Sequence, residues 1–132
     1  MTVGAVDPLL SRFIFSKADF SLPQRIRPRV FMPPPDLRLS VFDVHALVSD
    51  DIWQIGQEIA AIRTQNLHAR ADIQTSSATE HGLRVLMDEP PLRHRVIEGW
   101  PANQKEDQKL IAMQLAAKAT LHVPMATPGR SS

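Results

Sequence analysis

The chain of 132 residues has no cysteine and no tyrosine. Without a thiol it can form no disulfide, no cysteine-ligated zinc site and no cysteine nucleophile. Absence of cysteine fits a reducing compartment, so we expect a cytoplasmic location. Glycine is scarce as well, and five glycines spread along the chain cannot form a glycine-rich phosphate-binding loop.

An excess of charge of one sign is also lacking, because 15 Lys and Arg against 14 Asp and Glu give a formal net charge of +1. Dedicated nucleic-acid-binding proteins usually carry a marked basic excess, so the sequence supports that role only weakly. The first residues have neither the basic start nor the apolar run of a signal peptide, and no later stretch is long enough to span a bilayer. We therefore expect a soluble protein with no membrane partner.

Proline, by contrast, is plentiful, and three prolines stand together at 33–35. Because proline fixes φ and has no backbone N–H, this group predicts a stiff extended corner. Two sets of residues alternate directly after the corner: Leu37, Leu39 and Val41 on one face, and Arg38, Ser40 and Phe42 on the other. Such alternation is typical of a half-buried strand, which we place in the centre of the sheet.

Apolar periodicity predicts the remaining elements. Runs rich in β-branched or aromatic residues indicate strands at 12–15, 70–73, 83–87 and 94–98. A helix from Ser49 is predicted to bury the stripe Ile52, Ile55, Ile59 and Ile62. A last helix after Asn103 is predicted to bury Leu110, Ile111, Met113, Leu115 and Ala119. Gly56 costs the first helix about 1 kcal/mol relative to alanine, which favours close contact with the sheet there.

These strands and helices alternate too irregularly for repeated βαβ units, so the sequence predicts a single small α+β domain. We expect a mixed sheet of four or five strands with the two main helices packed on one side of it. The domain is predicted to span residues 12–121. Residues 1–11 are expected to form a flexible lead-in, and residues 122–132 a flexible tail.

Short motifs along the chain resemble a loosely defined group of small, uncharacterised bacterial proteins. The group has a Phe-x-Pro corner before a Leu-Ser-Val strand, then a Gly-Leu-x-Val strand and a His-x-x-Ile-x-Gly pattern. The corresponding residues are Phe31, Pro33, Leu39, Ser40, Val41, Gly82, Leu83, Val85, Asp88, Pro90, His94, Ile97 and Gly99. The resemblance covers roughly residues 12 to 120 and implies a shared fold, without an established activity.

Three polar residues on separate predicted strands, Arg12, Ser40 and His94, are the candidates for catalysis. If they converge, they form a compact nucleotide-dependent transferase site similar to that of ADP-ribosyltransferases, which use Arg and Ser on neighbouring strands. A neutral His94 is suited to act as a base, whereas a structural histidine at that strand end is expected to hydrogen-bond a neighbouring loop. Glu98 is either a carboxylate for His94 or part of a surface pair. No Gly-x-Ser-x-Gly turn occurs, so a serine nucleophile is not predicted.

Metal and cofactor sites find little support in the sequence. The histidines are scattered, and only Asp43-x-His45 and His68-x₃-Asp72 bring two possible ligands to a workable spacing. Two ligands do not make a site, so no metal is predicted. We likewise predict no cofactor.

Surface recognition is the role that the sequence favours. Phe31, Met32 and Trp100 are candidate apolar anchors, since aromatic residues are frequent among interface hot spots. Trp100 lies on a Gly-Trp-Pro turn, where its ring is either a plug under the loop or a docking residue. Arg93 and Arg95 are added as candidate binding cations, and with Arg25, Arg27 and Arg29 they would serve a nucleic-acid-binding accessory role.

The sequence therefore predicts a small non-catalytic bacterial interaction protein that acts through contacts with a protein partner. An operon or a mobile-element or defence system is the expected setting. Whether the chain is an enzyme is left open by its residues.

Overall fold

The computed structural model describes residues 6–124. Its elements in chain order are β1 (Leu9–Ile14), β2 (Phe20–Ser21), β3 (Arg25–Ile26), β4 (Leu39–Asp43), α1 (Ser49–Arg63), β5 (Ala69–Gln74), α2 (Thr75–Thr79), β6 (Arg84–Met87), β7 (His94–Glu98), α3 (Lys105–Lys118) and β8 (Thr120–His122). Two 3₁₀ turns lie at Lys17–Asp19 and Pro28–Phe31. Six strands form one sheet in the order β6-β7-β4-β1-β5-β8, and β2 pairs with β3 separately.

The predicted α+β class is confirmed, but two details of the sheet are wrong. The sheet has six strands rather than four or five, and its pairings are antiparallel rather than mixed. Two domain limits also shift, because β1 begins at Leu9 and β8 ends at His122, inside the segments expected to be flexible. Residues 1–5 and 125–132 of those segments lie outside the described residues.

The strand that follows the proline corner lies in the centre of the sheet, as predicted, between β1 and β7. It is not half-buried, however. Leu39 and Val41 lie in one hydrophobic core and Phe42 lies in a second core on the opposite face. Leu37 adopts a positive φ of 58° in a turn, so the strand itself begins at Leu39.

The two long helices cover opposite faces of the sheet. Leu10 and Ile14 of β1 join Ala112 and Leu115 of α3 in the larger core. Phe13, which alternates with them along β1, joins Ile52 of α1 in the smaller core. The prediction that both helices pack on one side is therefore wrong, because the central strands carry apolar side chains on both faces.

The buried side of α3 also differs from the predicted one. Leu110 and Met113 are 57% and 46% exposed, whereas Ala112, Leu115 and Ala116 are buried. Small alanines let the helix lie close to the 3₁₀ turn at Pro28–Phe31, and the longer apolar side chains then point outwards. Of the residues predicted for the inner face, Leu115 and Ala119 are buried.

The outer edge of β8 is covered by one side chain. The Nε2 of Gln24 donates to the backbone oxygen of Ala119 at 2.7 Å, and its Oε1 accepts from the backbone N–H of Leu121 at 2.9 Å. The amide of Gln24 thus takes the hydrogen bonds that another strand would make at this edge. Within residues 6–124, no helix has the length and apolar character needed to cross a membrane.

Close packing at Gly56 gives the first testable prediction. A Cβ at this position of α1 would lie 2.7 Å from both Leu67 Cδ2 and Phe13 Cε1, which is closer than carbon atoms approach. We expect Gly56→Ala to destabilise the protein by about 1–2 kcal/mol, because overpacking outweighs the gain in helix propensity. Urea unfolding measures the change. Gln57→Ala at the exposed neighbouring position is the control, and a Gly56→Ala protein at least as stable as wild type would contradict the prediction.

Candidate functional site

Ser40 and His94 lie on the neighbouring strands β4 and β7 and face the same side of the sheet as α1. In the antiparallel register Phe42 is opposite His94 and Ser40 is opposite Val96, so the side chains of Ser40 and His94 are diagonal neighbours. The Oγ of Ser40 lies 2.5 Å from the Nε2 of His94. This short hydrogen bond joins two of the three predicted catalytic residues.

The second ring nitrogen of His94 faces Asp88. Its Nδ1 lies 2.9 Å from the backbone oxygen of Asp88 and 3.1 Å from the Oδ2 of the same residue. Both atoms are acceptors, so the proton of a neutral imidazole must reside on Nδ1. The Nε2 then has a free lone pair, and the hydroxyl of Ser40 donates to it.

The imidazole of His94 is held in this orientation by packing. Its side chain is only 14% exposed, and its ring meets the ring of Phe42 edge-on at 5.2 Å between centroids. The Asp88 backbone N–H also donates to the His94 backbone oxygen at 3.0 Å. A ring fixed by contacts on several sides keeps its hydrogen bonds in one geometry.

The corner that carries Asp88 is tied down by Glu89. One carboxylate oxygen of Glu89 accepts from the backbone N–H of Arg93 at 2.8 Å and from the Nη1 of Arg95 at 3.1 Å. The backbone hydrogen bond from Arg93, and then the side-chain hydrogen bond from Arg95, lower the pKa of Glu89. These contacts fix the loop between β6 and β7, and with it the position of Asp88.

Ser40 lines a cavity of about 200 Å³ between α1 and Pro91, which lies in the loop between β6 and β7. Its lining is mostly apolar and consists of Ser40, Phe42, Ile59, Ile62, Arg63, Pro91 and His94. A second cavity of about 290 Å³ shares Phe42, Ile59 and Pro91 with it and extends along α1. We call the two together the Ser40 groove. Ile62 and Leu92, which are 77% and 75% exposed, flank the groove.

Comparison with protein-family models, curated proteins and solved structures found no match. The resemblance to small bacterial proteins therefore stays a prediction.

Arg12, the third predicted catalytic residue, does not face the Ser40 hydroxyl. Strand alternation places its side chain on the opposite face of the sheet, where Nε donates to the Val30 oxygen at 3.0 Å. Its Nη1 donates to the backbone oxygen of Ser40 at 2.8 Å. Desolvation by burial, and then the charge of Arg63, lower the pKa of Arg12 to about 10. Arg12 thus supports the backbone of Ser40, and of the three predicted catalytic side chains only those of Ser40 and His94 bond each other.

Two of the three predicted apolar anchors belong to the core. Phe31 is 0% exposed, and Trp100 is 4% exposed with its Nε1 donating to the Ile97 oxygen at 3.0 Å. Trp100 is therefore the plug under its turn, and neither side chain can reach a partner. Met32 is half-buried against the same core. Binding roles for Phe31 and Trp100 are contradicted by this burial.

The predicted binding cations are engaged within the protein. Arg93 donates to the Asp43 oxygen at 3.2 Å, and Arg95 pairs with Glu89 and lies 3.7 Å from Asp43. In the basic loop, Arg29 pairs with Asp19. Carboxylates thus compensate the charges of Arg29 and Arg95, and the nucleic-acid-binding role stays a prediction.

Glu98 bonds Arg38 at 2.8 Å, which is the surface pair predicted as the alternative to a contact with His94. Over residues 6–124, no three His, Asp or Glu side chains come close enough together to hold a metal ion.

Two residues of the site were missed by sequence reasoning. Asp88 contacts His94 across the loop that contains Pro90 and Pro91. An acidic residue at the end of a predicted strand was the only feature of the sequence that pointed to Asp88. Arg63, an exposed residue at the end of α1, lines the Ser40 groove. Its role depends on where α1 crosses the sheet, which no local pattern specifies.

A second polar cluster lies on the same face of the sheet and is enclosed. We call it the Asp72 cluster: Ser11, Arg70 and Asp72. Asp72 accepts from the Ser11 Oγ at 2.5 Å and from the Arg70 Nε at 3.1 Å, and all three residues are buried. The guanidinium of Arg70 stacks 4.6 Å from the ring centre of Trp53. Ser11, Arg70 and Asp72 are 0%, 4% and 3% exposed, and this burial supports a structural role for the cluster.

Proposed function

We propose that this protein is a hydrolase or acyl transferase in which Ser40 is the nucleophile, His94 the general base and Asp88 the residue that orients His94. The observation that carries the proposal is the pair of acceptors around His94 Nδ1, since they leave Nε2 free to take the Ser40 proton. A hydroxyl hydrogen-bonded to an oriented imidazole is the usual arrangement of an activated serine.

The geometry supports a two-step reaction. The Ser40 Oγ attacks the carbonyl carbon of an ester or thioester, and its proton passes to His94 Nε2. The tetrahedral intermediate then collapses, the bond to the leaving group breaks, and the leaving group takes the proton from His94. Water, deprotonated by the same imidazole, hydrolyses the acyl-serine and frees Ser40.

Arg63 is suited to stabilise the negative oxygen of the tetrahedral intermediate. It is the one cation that shares the 200 Å³ cavity with Ser40 and His94. The amides of a strand are engaged in the sheet, so a side-chain donor must take the role that backbone N–H groups often have. The apolar lining of the groove favours a substrate with an apolar acyl chain.

Covalent labelling tests this proposal. We expect an alkyl fluorophosphonate to form an adduct on the peptide that contains Ser40, detected by mass spectrometry of the digested protein. Ser40→Ala should abolish the adduct, and His94→Gln should slow its formation at least about tenfold because the base is lost. Ser49→Ala, at an exposed position on α1, is the control and should label as wild type does. Absence of an adduct on the wild-type protein would refute the proposal.

A non-catalytic role in protein binding is the second candidate. It is favoured by the edge strand β6, where Leu86 and Met87 are 41% and 69% exposed, and by the exposed Leu92 in the loop that follows. Exposed apolar side chains beside a strand edge are typical of contacts with a protein partner. Met87→Lys should then abolish retention of a partner from host lysate.

A further inference from the structure

A third cavity lies at the end of β1 and shares Arg63 with the Ser40 groove. Its volume is about 280 Å³, and three arginines line it together with polar residues: Arg12, Arg29, Arg63, Ser16, Asp19 and Gln65. We call it the arginine cavity. Its polar walls contrast with the apolar lining of the Ser40 groove.

The charges of the arginine cavity do not balance. Arg29 pairs with Asp19, which is the only carboxylate in the lining. Neither Arg12 nor Arg63 has a carboxylate within 4 Å over residues 6–124. The walls therefore carry an excess of two positive charges.

The two uncompensated arginines lie close enough to affect each other. Burial, followed by the charge of Arg63, lowers the pKa of Arg12 to about 10, so Arg12 is charged at neutral pH. Like charges held together in a cavity cost free energy unless an anion compensates them, and such arrangements cluster at functional sites.

The guanidinium groups of Arg12 and Arg63 make contacts other than ion pairs. Arg12 is fixed by its bonds to the backbone oxygens of Val30 and Ser40, and these leave N–H groups unused. The guanidinium of Arg63 stacks 5.4 Å from the ring centre of Phe15. Arginine donors are suited to bidentate contacts with the oxygens of a phosphate, and the hydrogen bonds of Arg12 fix its guanidinium before binding.

We infer that the arginine cavity binds the dianionic phosphate group of a small phosphate monoester. Two excess positive charges match a group that carries about −1.5 to −2 at neutral pH. The volume of the cavity is near the lower limit for small-molecule sites, so it suits a phosphate with a compact organic part rather than a nucleic-acid strand. This inference shares Arg63 with the proposed reaction of Ser40 but requires neither Ser40 nor His94.

The inference is tested by titrating the protein with phenyl phosphate and measuring binding by isothermal calorimetry and by backbone chemical shifts. We expect one site at pH 7.5 and an affinity at least about tenfold lower for phenyl sulfate, which carries a single charge. Binding should weaken about tenfold at pH 5.0, because a phosphate with a second pKa near 6 is then mostly a monoanion. The arginines keep their charge over this range, and Asp19 is the only other charged group in the lining.

Variants separate the site from general electrostatic attraction. Arg63→Gln should weaken binding at least about tenfold, whereas Arg84→Gln, which removes an exposed cation from β6, should leave it unchanged. Gln65→Glu should abolish binding by placing a carboxylate in the lining, and since Gln65 is not in the Ser40 groove, fluorophosphonate labelling should continue.

Three outcomes would overturn the inference: equal affinities for phenyl phosphate and phenyl sulfate, equal losses in Arg63→Gln and Arg84→Gln, or tighter binding of a single-stranded RNA decamer that displaces phenyl phosphate. Failure of this test leaves the labelling of Ser40 unaffected. The two proposals can therefore fail separately.

Discussion

His94→Gln is expected to lower kcat/KM for a nitrophenyl ester by about 10²–10⁴-fold, which is the usual contribution of a general base. Glutamine retains a hydrogen-bonding side chain of similar length but cannot accept the proton of the Ser40 hydroxyl. Ser40→Ala should reduce the rate to that of the uncatalysed reaction, because no nucleophile is left. Initial rates with acyl chains of increasing length measure both effects and report on the apolar groove.

Controls distinguish the loss of chemistry from the loss of the fold. Asp88→Asn should have an intermediate effect, because the Asp88 backbone oxygen still accepts from His94 Nδ1 when the carboxylate is gone. Ser49→Ala should react as wild type does, and circular dichroism should show native secondary structure in all four variants. A His94→Gln protein with the wild-type rate would exclude His94 as the base.

Asp72→Ala is expected to destabilise the protein by about 3–5 kcal/mol, the usual cost of removing one partner from a buried ion pair. Asp72 is 3% exposed and accepts from both Ser11 and Arg70. Its loss leaves the Arg70 cation buried without a carboxylate, and leaves the hydroxyl of Ser11 without an acceptor. Urea unfolding at constant pH measures the change in the free energy of unfolding.

A surface ion pair provides the matched comparison. Arg38→Ala removes the bond to Glu98 and the contact with Asp88 at 3.6 Å. The side chains of Arg38, Glu98 and Asp88 are 44%, 24% and 42% exposed, so the loss should cost less than about 1 kcal/mol. The double variant Asp72→Leu with Arg70→Met should recover much of the stability lost in Asp72→Ala, because no isolated charge remains. If Asp72→Ala and Arg38→Ala cost the same, the buried pair contributes no more than a surface pair.

Much of the fold was predictable because the strands and helices have strong local signals. The proline group and the alternation after it predict the central strand, and the isoleucine spacing predicts α1. The arrangement of the helices was not predictable from those signals. Phe42 was counted on the polar face of its strand, and only its contacts below α1 show that this face is a second core.

The candidate site was partly predictable for a related reason. Ser40 and His94 stand out as polar residues within strands, and register then brings them together. Asp88 and Arg63 meet them through a corner and a helix crossing, which depend on tertiary packing rather than on spacing. Arg12 lies next to Ser40, as predicted, but side chains alternate along β1, so the Arg12 side chain is on the face of the sheet opposite to the Ser40 hydroxyl.

The Gln24 amide at β8 has a consequence for self-association. With the hydrogen bonds at that end already satisfied, intermolecular strand addition is open at the β6 end and blocked at the β8 end, as far as residues 6–124 determine it. Molecules that join edge to edge can therefore form a closed pair but no continuous ribbon. Gln24→Ala would expose the second end, and edge-to-edge association of this variant, measured by sedimentation, should extend beyond pairs.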